Sequence, residues 1–518
     1  MNLVELLRDR AERHPDRPAI IDAFRGVDRV VSFRKLWEEV SAGSAFLERL
    51  GLGRGKTVLA FHPVSIELYV FLLSAFHAGA RVMLADPSAG RKFLSLCCQR
   101  RMPDGFFGSA KAQWLRWMVP ELRSLKPAIR SGGWFPGSIA WKPEGRGDLC
   151  DVPDEEPALI TFTSGSTGVP KAAVRTHGFL LAQHAALSKS LDFEEGEVDL
   201  ITLPVFVLAN LASGLTSVLA ATDLAKPGAP HPAVKAQCER HGVTRCAASP
   251  AFYESLLESG LPCFRKVYTG GAPVFPDLLR RLTQALPEAT VEAVYGSTEA
   301  EPIAHASLDE EAASLTKAGG GLLAGVPVDE IALKILKDQW GAKVGPLVDG
   351  GIAHLEVAGG QAGEIVVSGD HVLRGYLGGA GDEETKIHEG GNVWHRTGDA
   401  GWIDAAGRVW LLGRCSEKLP FAAAPESLPD EAFRYPFAIE CALRESFPGV
   451  RMAALDWKGQ RTLVVGRIAS EEERNAIEGK ASSLSMAKII YLPSLPLDRR
   501  HQAKIDYPAL RKVLEASG

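Results

Sequence analysis

The sequence predicts an α/β protein: a large N-terminal domain of βαβ-type sheets plus a β-rich subdomain, then a small α+β C-terminal domain. Three observations carry this reading. Short apolar runs alternate with helical periods through the first half of the chain. From Ile331 to Trp410 the texture changes to short β-type runs with glycine-rich turns. A separate segment of helix, strands and helix follows Gly413-Arg414.

Taken in order, Met1–Arg8 opens an amphipathic helix. Thr57–Phe61 (TVLAF) and Ala80–Leu84 (ARVML) read as buried strands flanking a helix at Ser65–Ala78. Strand, helix and strand at this spacing imply a βαβ unit and a parallel sheet. Similar runs recur at Asp199–Leu203, Thr244–Ala248, Lys266–Tyr268 and Val291–Tyr295. Glu364–Ser368 (EIVVS) is the clearest strand of the β-rich part. Pro420–Pro429 reads as a loop or linker. A helix is expected from about Pro436 to Phe447, strands near Met452–Trp457 and Thr462–Arg467, and a last helix near Tyr507–Ala516. A chain of 518 residues exceeds what one core supports. The domains are set at 1–413 and 414–518.

Composition narrows the class. Hydrophobic residues at 46% and charged residues at 23% are ordinary for a soluble globular protein. A net charge of −5 gives no reason to expect nucleic acid as a partner. Eight cysteines without a CxxC pair point away from a disulfide framework or zinc site, toward a reducing cytoplasm. The N-terminus shows no apolar leader. No run reaches the roughly 18 apolar residues of a membrane span, so no stable membrane insertion is expected. Leu68–Ala80 comes nearest and reads as a buried helix.

The most specific segment is Leu159–Lys171 (LITFTSGSTGVPK). A buried strand enters a loop of hydroxyls and glycines that ends in a lysine. Glycines let backbone N–H groups approach phosphate oxygens, Ser and Thr add hydroxyl donors, and Lys adds positive charge. It is not a P-loop, because Val-Pro separates Gly168 from Lys171. Gly51–Thr57 (GLGRGKT) also fails on spacing and reads as a solvated turn.

Four further motifs follow in order. Gly270-Gly271-Ala272-Pro273 is a turn after an apolar strand. Tyr295-Gly296-Ser297-Thr298-Glu299 supplies a ring that can stack on a purine, a hydroxyl for phosphate and a carboxylate for Mg²⁺. His395–Asp399 (HRTGD) carries an acid suited to ribose hydroxyls, with Gly413-Arg414 downstream. Pro496–Ile505 (PLDRRHQAKI) presents a lysine near the C-terminus.

Together these motifs resemble those of the adenylate-forming superfamily of acyl-CoA synthetases, peptide-synthetase adenylation domains and luciferases. The resemblance implies ATP and Mg²⁺ as cosubstrate and ion, and a small-molecule carboxylic acid as partner. It implies a large adenylation domain and a mobile C-terminal lid. It places the nucleotide on Thr163, Ser164, Gly165, Ser166, Thr167, Gly168 and Lys171, on Gly271, Ala272 and Pro273, and on Tyr295, Gly296 and Ser297. Asp399 and Arg414 fall to the ribose, Glu299 to the metal, and Lys504, Thr298 and Glu299 to catalysis.

Departures from the acyl-CoA synthetase pattern narrow the resemblance. Pro204-Val205-Phe206 continues with Val207-Leu208 where a Pro-x-Phe-His element is usual. Ser416 stands where the hinge normally has an acid or lysine, and Ala503 where glycine is usual. These features, with Tyr295–Pro302 (YGSTEAEP) and Asp498–Ile505, resemble the β-lactone synthetases of bacterial long-chain olefin biosynthesis. That resemblance implies closure of a long-chain β-hydroxy acid, such as a 2-alkyl-3-hydroxy acid, onto its own activated carboxyl. It is compatible with association with other enzymes of the pathway. The acyl pocket is expected between Pro204 and Pro302, lined by Phe206, Val207, Leu208, Asn210, Leu211 and Ser249; an ordinary core helix over 205–218 is the competing reading. Thioester formation on CoA or a carrier protein, and a non-catalytic nucleotide or acyl binder, stay open as alternatives.

Overall fold

The computed structural model describes residues 1–85, 90–164, 170–221, 231–308, 320–344, 347, 351–422, 431–467, 470–498 and 504–517. The chain forms two compact units. The first comprises residues 1–222, 236–245 and 370–382; the second comprises 223–235, 246–369 and 383–518.

In the first unit a seven-stranded sheet runs in the order Ile139–Ala140, Ala128–Ser131, Gly105–Ser109, Thr57–Phe61, Arg81–Leu84, Pro157–Ser164, Pro170–Thr176. All neighbours are parallel except the last two, which form an antiparallel hairpin. The expected βαβ unit is present, with helix Ile66–His77 between Thr57–Phe61 and Arg81–Leu84. Its strands are apolar on both faces, as a covered parallel sheet requires. Leu68 to His77 is buried throughout, so this helix is a core element. Strands Val198–Ile201, Thr216–Leu219 and Pro18–Phe24 run parallel, and Val27–Ser32 returns antiparallel beside the last. The turn at Gly51–Thr57 uses Gly51 and Gly55 at positive φ and leads into a sheet strand.

In the second unit Lys266–Gly270 pairs in parallel with Thr290–Ser297. From there the sheet is antiparallel: Ala300–Ser307, Leu322–Pro327, Val409–Arg414, Asn392–Ile403, Gly363–Ser368 and Ala332–Leu336. This is the β-rich part expected from the sequence.

The C-terminal segment builds on a three-stranded sheet of Met452–Trp457, Gln460–Gly466 and Lys488–Leu492. Alternation along its strands makes two cores. Met452, Ala454, Leu463 and Val465 pack with Ile439 and Leu443 of helix Pro436–Ser446 and Ile477 of helix Glu471–Ser483. Ala453, Leu455 and Val464 pack with Leu510 and Leu514 of helix Tyr507–Ser517. Part of the expected loop at Pro420–Pro429 lies outside the described residues. Among the described residues no helix is long and apolar enough to cross a membrane.

Candidate active site

In the second unit the site residues lie on strands of one sheet and on the turns that join them. Gly270 faces Val294 across the parallel pair. A Cβ at Gly270 would lie 2.6 Å from the Val294 carbonyl oxygen, so only glycine permits this approach. Gly271 then turns the chain at φ +77°, and Ala272 and Pro273 lead toward helix Pro276–Ala285. The turn therefore sits at the carboxyl end of parallel strands, level with Tyr295, where α/β sheets present ligand sites.

Strand Thr290–Ser297 reverses through Thr298 and Glu299 into Ala300–Ser307, with a register shift between Tyr295 and Ser297 that includes Gly296. The Ser297 hydroxyl accepts the backbone N–H groups of Glu299 (3.3 Å) and Ala300 (3.2 Å). Ser297 thus holds the turn, and Thr298 and Glu299 stand at its tip, partly buried.

Asp399 and Arg414 are register partners on adjacent antiparallel strands. Arg414 Nε lies 3.2 Å from Asp399 Oδ1, and Arg414 Nη1 donates to the Thr397 carbonyl at 3.0 Å. The Tyr295 hydroxyl donates to Asp399 Oδ2 at 2.8 Å. Residues from three separate stretches of the chain therefore meet at one carboxylate. Burial, reinforced by the Asp399 charge, holds the Tyr295 phenol well above its ordinary pKa, so it stays a neutral donor. The Arg414 side chain remains 54% exposed and Asp399 19%. A carboxylate oxygen has two acceptor sites, so this acid can take hydroxyl donors from a ligand while keeping both protein partners. Thr397 is a further member of the site that the motif reading leaves without a role, although it lies within the same TGD string. Its hydroxyl accepts the Asp399 N–H at 3.1 Å.

In the first unit the hairpin register pairs Thr163 with Lys171 and Ser164 with Pro170. Gly165, Ser166, Thr167 and Gly168 lie outside the described residues. Lys171 Nζ is 5.4 Å from the Tyr376 ring centroid. A Cβ at Gly381 would come within 2.7 Å of Lys171 Cε. Tyr376 and Gly381 thus guide the lysine at the base of the loop. No spacing in the sequence points to either, because the contact spans some two hundred residues.

The pocket positions are divided between the units. Phe206, Val207, Leu208, Asn210 and Leu211 lie on helix Phe206–Ser213, which ends at Gly214 with φ +76°. Leu208 and Leu211 border an apolar cavity shared with Leu3, Leu7, Leu73 and Leu180. Asn210 is fully buried and donates to Asp199 Oδ2 (2.9 Å) and Ser217 Oγ (3.2 Å). Its amide therefore ties the helix to the strands behind it. Ser249, in the second unit, caps helix Pro250–Ser259 by accepting the Phe252 N–H.

Lys504 is exposed. Its N–H donates to Asp498 Oδ1 (2.9 Å), and its carbonyl accepts the Asp498 N–H (2.8 Å). Leu497 bridges Ile505 beside it. Arg499–Ala503 of the motif lie outside the described residues.

A family model described as AMP-binding enzyme matches residues 7–377. The chain is 31% identical, over 97% of its length and 95% of the relative's, to an olefin beta-lactone synthetase of Stenotrophomonas maltophilia (strain K279a). It is 30% identical, over 97% and 96%, to an olefin beta-lactone synthetase of Xanthomonas campestris pv. campestris. The ATP-bound structure of MatB from Rhodopseudomonas palustris matches with a TM-score of 0.77 at 21% identity, covering 99% of each chain, and shows the same fold. The chain belongs to the AMP-binding enzyme family and is an adenylate-forming, AMP-releasing acid ligase.

Proposed function

We propose that this ligase activates a long-chain β-hydroxy acid and then closes it to a β-lactone. The observation that carries the reading is the likeness, along nearly the full length of each chain, to two olefin beta-lactone synthetases. In the first step the carboxylate oxygen attacks the α-phosphorus of ATP, and pyrophosphate leaves. In the second the substrate's own 3-hydroxyl oxygen attacks the acyl carbon. AMP leaves with the former carboxylate oxygen, and the hydroxyl proton passes to solvent. An internal nucleophile is already present at high effective concentration, so no thiol is required.

The protein contributes position and charge. The turn Gly271–Pro273 and the Tyr295 ring take the adenine. Asp399, steadied by Tyr295 and Arg414, takes the ribose hydroxyls. The loop from Thr163 to Lys171 takes the phosphates. Lys504 neutralises charge that develops on the α-phosphoryl group. Glu299 would hold Mg²⁺: one carboxylate is a suitable protein contribution for an ion that completes its shell with phosphate oxygens and water. When bound, that ion would supply charge neutralisation on the phosphates. Residues 414–518 act as the lid that carries Lys504. The helix bearing Leu208 and Leu211 supplies apolar surface for the alkyl chain.

The test is product analysis with ATP, Mg²⁺ and a long-chain 2-alkyl-3-hydroxy acid, with and without CoA. A β-lactone with AMP and pyrophosphate in the absence of CoA supports the reading. A thioester formed only when CoA is supplied overturns it.

A further inference from the structure

A surface between Arg91 and Phe135 takes no part in the site described above. Helix Ala110–Met118 buries Ala112, Gln113 and Arg116. It leaves Trp114 59% exposed, Trp117 41% and Met118 48%. The loop that follows strand Ala128–Ser131 turns through Gly132 and Gly133, both at positive φ, and presents Trp134 at 76% exposure. Its neighbour Phe135 is buried and meets Trp114 and Trp117 edge-on at 5.2 and 4.9 Å. The indoles of Trp114 and Trp117 are thus held in place before any partner arrives.

Cations ring these aromatics. Arg123 Nε donates to the Trp117 carbonyl at 2.7 Å, and Arg130 Nη1 donates to the Gly133 carbonyl at 2.7 Å. Arg91 Nη1 lies 3.8 Å from Met118 Sδ. Lys111 is exposed one turn before Trp114. From Arg91 to Phe135 the sequence has nine lysines and arginines against Asp104 and Glu121, within a chain of net charge −5; Arg116 is buried and Arg101 donates to the Thr57 hydroxyl, which leaves seven toward solvent. Asp104 is engaged elsewhere, with Lys56 and the Thr57 N–H.

We propose that this surface docks the protein on an anionic phospholipid bilayer. Indole rings favour the headgroup layer, where the ring is half desolvated and the N–H stays hydrated. Arginines and lysines at the same level are drawn to lipid phosphates. Neither signal alone gives firm attachment, and here the two coincide. The positive charge of the segment, within a chain of net charge −5, matches an anionic lipid surface. The attachment is interfacial, and it holds whichever acid the ligase takes.

The experiment uses the full chain, sedimented with vesicles of phosphatidylcholine alone or mixed with phosphatidylglycerol. The expected result is binding to the anionic vesicles, weakened by salt, with a blue shift of indole emission. Trp134→Ala combined with Lys111→Glu should lower partitioning by about tenfold or more, while pyrophosphate release in solution and the melting temperature stay at the wild-type level. Both side chains are exposed, so the core is untouched. Equal binding by wild type and variant, equal binding to both vesicle types, or no binding to vesicles with capture of an acidic protein instead would overturn the proposal.

Discussion

Three residues apart on strand Asn392–Ile403, two ion pairs of the same chemistry have opposite settings. Arg396 and Glu364 are 1% and 2% exposed. Arg396 Nε and Nη2 both donate to Glu364 Oε2, at 2.9 and 2.6 Å, and Nη1 donates to the carbonyls of Ala342 and Glu384. Asp399 and Arg414 make a single long contact of 3.2 Å, and Arg414 is largely open to solvent. The first pair commits its guanidinium to protein atoms and locks strand Gly363–Ser368 to its neighbour. The second keeps hydrogen-bonding capacity in reserve for a ligand. Residue type and sequence distance do not separate these roles; enclosure does.

That contrast can be broken by substitution. Arg396→Ala leaves Glu364 buried without its cation and should destabilise the protein by about 3–5 kcal/mol, read from denaturant unfolding. A loss like that of a surface mutation would remove the structural role. On the exposed side, Lys504→Ala should lower the adenylation rate by about 10²-fold or more, with ATP binding and melting temperature near wild type. Unchanged pyrophosphate release would take Lys504 out of the mechanism. Asp399→Ala should weaken ATP binding by about tenfold, measured calorimetrically, while costing little stability. A large fall in melting temperature would show that the two pairs do the same work.

Glu440 sharpens the contrast as a buried acid held by neutral donors. It accepts the Tyr507 hydroxyl at 2.7 Å and the Ala454 N–H at 3.0 Å. Burial pushes its pKa up to about 7. A carboxyl raised in the folded state contributes stability below its unfolded pKa and loses that contribution as pH rises through the folded value. The melting temperature should therefore fall between pH 5 and 8, and Glu440→Gln should flatten that fall. An identical pH profile in the variant would exclude Glu440 as its source.

Much of this architecture is legible in the amino-acid sequence. Apolar runs locate the βαβ unit at 57–84 because both faces of those strands are covered. The motif residues Tyr295, Asp399 and Arg414 come together because Arg414, the last residue of its strand, pairs with Asp399 within strand Asn392–Ile403, and the Tyr295 hydroxyl reaches the same carboxylate. Helix Glu471–Ser483 escapes the pattern reading, since only Ile477 and Ala481 on it are buried and no apolar stripe announces it. A cap does mark its start: the Ser470 hydroxyl accepts the Glu473 N–H, with three glutamates in the first turn. The role of Asn210 is hidden in the sequence because its partners, Asp199 and Ser217, lie on separate strands. The aromatic surface around Trp134 is hidden too, since a helix and a loop contribute to it jointly.

The most direct test of the central claim is to follow oxygen. A 3-hydroxy acid labelled with ¹⁸O in its carboxyl group is turned over with ATP, and AMP and lactone are weighed by mass spectrometry. Activation of the carboxyl predicts one labelled oxygen in AMP, with the lactone keeping label in its carbonyl and none in its ring. Unlabelled AMP and a lactone with both labelled oxygens would mean that the hydroxyl was activated instead, and would contradict the account.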